Sequence, residues 1–231
     1  MFSKTRSTAG GQQSEKNPSG SVPIPGASKV FLLSPANIAG IRGRLLLNEN
    51  AEFELARRLR KQGASLGETF SFVSGLYFRG KLSYARAFAA PPPGAPGVSV
   101  ITACGGLVSP QTTVGRERLR EISAVDLDIG DTRYCGPLVR DATVLASSVG
   151  PECQVVLLGS IATGKYLEPL VRVFGERLRF PAEFVGRGDL SRGGLMLRCA
   201  QAGTELTYVP VTGTLRHGPR PPRLAPAGNA S

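Results

Sequence analysis

Apolar positions along the chain keep two alternating rhythms. "KVFLL" from Lys29, "VSVITACGGL" from Val98 and "QVVLLG" from Gln154 open as short, nearly unbroken apolar runs that empty into Gly- or Ser-bearing loops. Runs of that length predict strands buried on both faces. Between them the spacing changes to three or four residues. Leu47, Ala51, Leu55 and Leu59 recur at every fourth position and predict one helix, with Arg57, Arg58, Arg60 and Lys61 in its last turns and Gly63 as a stop. Phe78, Leu82, Ala85 and Ala89 predict a second helix, which "PPPGAPG" ends. Leu138, Ala142, Leu145 and Val149 predict a third, and Leu167, Leu170, Val171, Phe174 and Leu178 give the cleanest stripe of all.

Strand and helix in alternation are the grammar of a three-layer α/β fold, a mostly parallel sheet with helices on both faces. "LMLRCA", the turn "QAGTE" and "LTYVPV" predict a C-terminal antiparallel hairpin that closes the sheet. This assigns residues 29–211 to a single α/β domain. Residues 1–28 are rich in Gly, Ser and Pro without the apolar core of a signal peptide, and they read as a disordered leader. Residues 212–231 read as a Pro/Arg-rich disordered tail. No apolar run approaches the roughly 20 residues of a membrane helix, so no membrane partner is expected.

Charge adds less than its size suggests. Of the formal +11, the leader contributes +2 and the tail +3, leaving +6 on residues 29–211. Twenty-two of the 28 basic residues are arginine, and no zinc-finger, RNA-recognition or helix-turn-helix signature accompanies them, so nucleic acid is a weakly supported partner. Cys104, Cys135, Cys153 and Cys199 are far apart, and His217 is the lone histidine. That excludes a zinc site and His-based nucleophilic catalysis. Cys153 and Cys199, in or beside apolar runs, read as buried reduced thiols of a cytoplasmic protein. No metal and no cofactor are expected.

Open α/β sheets bind ligands at the carboxyl ends of their strands. Four stretches rich in small residues are expected there: "SPANIAGIRG", "CGGLVSP", "GSIATGK" and "GRGDLSRGG". They supply Ser34, Gly105, Gly106, Gly159 and Ser160 as candidate ligand contacts. "GSIATGKY" has the spacing of a phosphate-cradling P-loop, but Tyr166 stands where a short metal-binding hydroxyl is required. A plain strand-to-helix turn capped by Ser160 or Thr163, or an anion site without metal, fits that stretch better.

"GRGDLSRGG" is the densest in chemistry. Arg187 and Arg192 are forks for a carboxylate or phosphate, Ser191 is a further contact, and Asp189 is the candidate general base. The alternative is a solvated loop whose Arg-Asp pair is structural. "GLYFRGKLSYARAF" offers Arg79, Lys81 and Arg86 with Tyr77 and Tyr84 interleaved, and helical spacing puts Arg79 and Arg86 on one side, either toward an anionic ligand or as an ordinary basic face.

The succession "LYFRGKLSYARAF", "ITACGGLVSP" and "VVLLGSIATGKYLEPLVRVFG" resembles a group of bacterial α/β proteins of unknown function. More distantly, it is similar to small α/β domains linked with modified-nucleoside metabolism and the uracil-DNA-glycosylase-like fold, with Tyr77, Gly106 and Leu107 answering their pattern. The resemblance spans Lys29 to Val211 and implies that fold and a nucleobase or nucleotide ligand. The His and Asp signatures of a uracil-DNA glycosylase are not in the chain. The expected function is binding of a nucleotide, nucleobase or other small anionic ligand at the carboxyl edge, with glycosidic-bond chemistry at Asp189. The alternative is a non-catalytic module for nucleic acid or a protein partner.

Overall fold

In chain order the elements are β1 (Lys29–Leu33), α1 (Ile41–Leu47), α2 (Glu54–Lys61), β2 (Ala64–Ser65), α3 (Leu66–Ser74), α4 (Leu76–Phe88), β3 (Val98–Thr102), β4 (Gly106–Val108), β5 (Thr113–Val114), α5 (Arg116–Ser123), α6 (Thr132–Val149), β6 (Gln154–Leu158), α7 (Gly164–Phe174), β7 (Leu178–Pro181), α8 (Asp189–Ala202) and β8 (Tyr208–Pro210). The computed structural model describes residues 28–161, 164–213, 221, 222 and 224. All of the expected leader but Ser28, most of the expected tail with His217, and the Thr163 cap lie outside the described residues.

The main sheet has the order β4-β3-β1-β6-β7-β8. Its four inner strands are parallel, and β4 and β8 pair antiparallel at the two edges. The three-layer α/β class is therefore the observed one, with helices around a mainly parallel sheet and an antiparallel pair, β7 and β8, at its C-terminal end. The chain leaves β1 toward β3, then crosses back over β1 to β6 and continues to β7, so its direction of winding reverses between β1 and β6. Helix α4 packs on β1, α6 on β3 and α7 on β7, and the right-handed rule for such crossovers assigns α4 to one face and α6 and α7 to the other. Helix α8 packs on α4, and α6 on α7. The runs Phe31–Leu33 and Val155–Leu158 are fully buried, as strands covered on both faces must be. Among the described residues no helix is long and apolar enough to cross a membrane.

Three expectations about individual elements are corrected. The helix expected through Leu47, Ala51, Leu55 and Leu59 is two helices, because Asn48 turns the chain: its Oδ1 accepts the Asn50 N–H at 2.9 Å, a local bond that competes with the helical ladder. Leu178 belongs to β7, not to the preceding helix, since Gly175 takes φ +54 and ends α7. "LMLRCA" is helical, the middle of α8, and the antiparallel partner of "YVP" is Leu178–Pro181. The glycines of "SRGG" signal a loop in the sequence, but they are helical, and Gly193 serves helix packing.

That packing is a backbone-to-backbone contact. A Cβ added to Gly80 would lie 2.5 Å from the Gly193 carbonyl oxygen, and one added to Gly193 would lie 2.8 Å from the Tyr77 Cα. Neither helix has room for a methyl group at the crossing. Farther along α4, the Tyr84 hydroxyl accepts the Leu206 N–H at 2.7 Å and meets the Tyr208 hydroxyl at 2.6 Å, which ties the helix to the β8 segment.

Gly80→Ala is expected to lower unfolding stability by about 1–3 kcal/mol, the usual cost of overpacking. Gly136→Ala, at an exposed α6 position where a Cβ meets nothing within 4 Å, should stabilise by about 0.5–1 kcal/mol. Denaturant unfolding of the two variants checks this; equal effects would contradict the contact.

Candidate functional site

At the reversal point the two central strands end together. Leu33 pairs with Leu158, and the Ser34 N–H then donates to the Leu158 carbonyl at 3.1 Å, which sets Ser34 opposite Gly159. A Cβ on Gly159 would fall 2.8 Å from the Ser34 Cβ and 3.2 Å from the Tyr166 hydroxyl oxygen. The missing side chain is what lets Ser34 and Tyr166 meet.

Lys81 enters this edge from α4. Its Nζ donates to the Ser34 carbonyl at 2.6 Å and to the Ser34 Oγ at 2.9 Å. The side chain is fully buried, with the amine 4.5 Å from the Tyr77 ring centroid and 4.9 Å from that of Phe78. Burial lowers its pKa from 10.5 to about 7, and Asp189 opposes only part of that fall. The Tyr166 hydroxyl accepts the Ser160 N–H at 3.1 Å and lies close to the Ser34 hydroxyl, the two meeting over Gly159. Burial raises the Tyr166 pKa, and the nearby Ser34 hydroxyl and the Ser160 N–H act against the rise. Tyr77 is also buried, and burial raises its pKa; Arg192 is near enough to oppose the rise, yet no group meets the Tyr77 hydroxyl in hydrogen-bond geometry among the described residues.

The first turn of α8 completes the edge. Asp189 and Arg192 both lie within electrostatic reach of Tyr77 and Tyr166, and Asp189 also reaches Lys81. Arg192 Nη1 stands 3.6 Å from Asp189 Oδ1, one helical turn away. Its Nε and Nη2 donate to the Phe184 carbonyl at 3.2 and 3.0 Å, while Arg187 donates to the Glu183 carbonyl at 3.0 Å and to the Ser191 Oγ at 3.2 Å. Both arginines thus commit donors to their own segment. The Asp189 side chain is 66% exposed and sits at a helix N-terminus, so it forms the rim and not the floor.

Of the residues expected at the edge, the fold brings together Ser34, Gly159, Ser160, Asp189 and Arg192. Arg187 and Ser191 bond to each other beside it. Gly105 and Gly106 form the β3–β4 turn, enclosed by Thr102, Arg118, Pro137 and Asp141. Arg79 lies on the exposed face of α4, as does Arg86, so an inward role for Arg79 is corrected. The residue that turns inward is Lys81. A sequence signal for it existed: Tyr77, Lys81, Tyr84 and Phe88 share one helical stripe at intervals of four, three and four. Tyr166, dismissed as an obstacle to a P-loop, also faces the edge. Of the two thiols expected to be buried, Cys153 is buried and Cys199 only partly so.

Helices α4, α7 and α8 all direct their N-termini toward this place, since Tyr77, Tyr166 and Asp189 each stand in a first turn. The positive ends of their helix dipoles raise the local potential. A cavity of about 330 Å³ adjoins the same edge, lined by Pro35, Asn37, Ala103, Ile122, Asp126 and Lys165 among others. Among the described residues no group of three or more His, Cys, Asp and Glu side chains is placed to hold a metal ion. Comparison with protein-family models, with curated proteins and with solved structures returned no match.

The depressed pKa of Lys81 makes stability depend on pH in a defined direction. Between about 7 and 10.5 the unfolded chain holds a proton on Lys81 that the folded chain lacks, so stability rises with pH over that window by about 1.4 kcal/mol per pH unit. Below it both states are protonated and the slope vanishes. Lys81→Met should remove this slope, leaving whatever tyrosines and thiols contribute to both proteins. Parallel unfolding curves from pH 7 to 9.5 check it; identical slopes would contradict a neutral buried amine.

Proposed function

We propose that this chain is a cytoplasmic, Rossmann-like α/β protein that binds a small anionic ligand of nucleotide or nucleobase class at the carboxyl edge between β1 and β6. The observation that carries this is the fully buried Lys81 amine on Ser34, at the strand ends where the winding reverses. Lys81 and Arg192 supply positive charge, three helix N-termini add N–H donors, and the adjoining cavity accepts the body of the ligand. The resemblance to nucleoside-metabolism domains favours the nucleotide or nucleobase class. Asp189 at the rim is the carboxylate available to take a proton from water if a glycosidic bond lies beside it. A nucleic-acid surface has less support, because arginines 57, 58, 60, 116, 118, 120, 133 and 140 face carboxylates and form no continuous basic face. The four cysteines are unpaired, which suits a reducing compartment.

Thermal-shift titration with phosphate, nucleoside phosphates and free nucleobases tests the reading. A ligand present at 100 times its Kd should add ~2.7 kcal/mol of stability. An anion beside Lys81 favours its charged form, so affinity should fall as pH rises through about 7. Arg192→Ala should weaken binding about tenfold, a loss near 1.4 kcal/mol, and Arg79→Ala should leave it within about twofold, as expected of an exposed side chain on another face. Absence of stabilisation by every member of the panel, or affinity that ignores pH, would count against the site.

A further inference from the structure

We infer that Ser34 is a nucleophile and Lys81 its general base, and that the site transfers or hydrolyses the acyl group of an ester or thioester carrying a negatively charged moiety. The anionic moiety rests on the binding proposed above; the nucleophile rests on separate geometry. Lys81 Nζ makes two contacts, both to the same residue, at 2.6 Å to the Ser34 carbonyl and 2.9 Å to its Oγ. A neutral amine has two N–H donors and one lone pair. With one N–H fixed on the Ser34 carbonyl, the amine is anchored so that its lone pair can turn to the Oγ, the position a base needs to remove that proton.

Tyr166 gives the network two proton arrangements. When Lys81 is charged it donates to Ser34 Oγ, which leaves the Ser34 proton to turn toward the neighbouring Tyr166 oxygen. When Lys81 is neutral, Ser34 donates to the amine and the Tyr166 O–H is free to donate to the Oγ. The Ser160 N–H holds the phenol in place in both. The groups facing Lys81 are Ser34 just past β1, Tyr77 on its own helix, Asp189 from α8 and, beside Ser34, Tyr166 from α7; Arg192 lies within electrostatic reach of both tyrosines. Burial lowers the Lys81 pKa to about 7, so the neutral amine is within reach near neutral pH.

The chemistry balances with water as the second reactant. As Ser34 Oγ bonds to the carbonyl carbon, its proton passes to Lys81. Collapse of the tetrahedral adduct breaks the bond to the alcohol or thiol, which leaves with that proton. Water then attacks the Ser34 ester, gives its proton to Lys81, and the proton returns to the Oγ as the acid departs. Serine–lysine pairs perform acyl transfer on other folds, so no histidine is required.

Phenylmethanesulfonyl fluoride and p-nitrophenyl acetate are the probes, with intact-protein and peptide mass spectrometry as the readout. One covalent adduct should form, on Ser34, at a rate that rises with pH and levels off above about 7. Ser34→Ala should form none, and Lys81→Met should react at least a hundredfold more slowly while keeping its circular dichroism. Tyr166→Phe, which retains the ring, should slow the reaction about tenfold and shift its pH profile. Failure of Ser34 to label in protein that still shows an anion-dependent thermal shift overturns the nucleophile and leaves anion binding standing. Labelling of Ser34 without any anion-dependent shift upholds the nucleophile and overturns the anionic substrate. Equal labelling of the Lys81→Met variant overturns Lys81 as the base.

Discussion

Two glycines decide where everything else in this molecule can be. Gly80 and Gly193 bring α4 and α8 together backbone against backbone, closer than any side chain permits. Because α4 also crosses the face of β1, this contact carries the first turn of α8 over the carboxyl edge of the sheet. Tyr77 and Lys81 flank Gly80, and Asp189 and Arg192 precede Gly193 by four residues and one. One close contact therefore fixes two pairs of polar side chains relative to each other. A methyl group at the crossing would have to part the helices and would separate the amine of Lys81 from the charges that face it across the interface.

The sequence displays those parts of the fold whose cause is local. Strands β1, β3 and β6 are largely buried, so their apolar runs are nearly unbroken; α6 and α7 each cover one face, so their stripes are clean. The part that sequence reasoning misplaced is governed by contacts far away in the chain. Gly193 and Gly194 in "DLSRGGLMLRCA" are poor helix formers, and their presence reads as a loop. Gly193 is there because Leu76 and Tyr77 approach it from α4, and no local pattern reports that.

The same division holds at the candidate site. Ser34, Gly159 and Ser160 follow apolar strands directly, so the rule that ligands gather at strand ends finds them without a structure. Lys81 is harder, because lysine in an amphipathic helix is ordinarily a solvent-facing residue. Here it occupies the buried stripe, between Tyr77 and Tyr84, where alternation alone would place a leucine or methionine. Arg79 has the more suggestive charge yet takes the exposed face. Position within the stripe was the better guide than charge.

A lysine in that stripe needs a reason, since a buried amine is costly and an apolar side chain of similar volume is often as stable or more so. Part of the reason is structural: the Ser34 carbonyl lies just past the last strand pair, and Lys81 Nζ satisfies it. A carbonyl left bare there would cost about 1–3 kcal/mol. An asparagine, a backbone N–H or an ordered water could meet that need without desolvating an amine, so the carbonyl alone does not account for the choice. The Oγ contact and the Tyr166 phenol beyond it are what the carbonyl does not explain. A group able to exist neutral or charged near pH 7, set on a hydroxyl at the edge where such sheets hold ligands, has a property that none of those substitutes shares: it can accept a proton and return it.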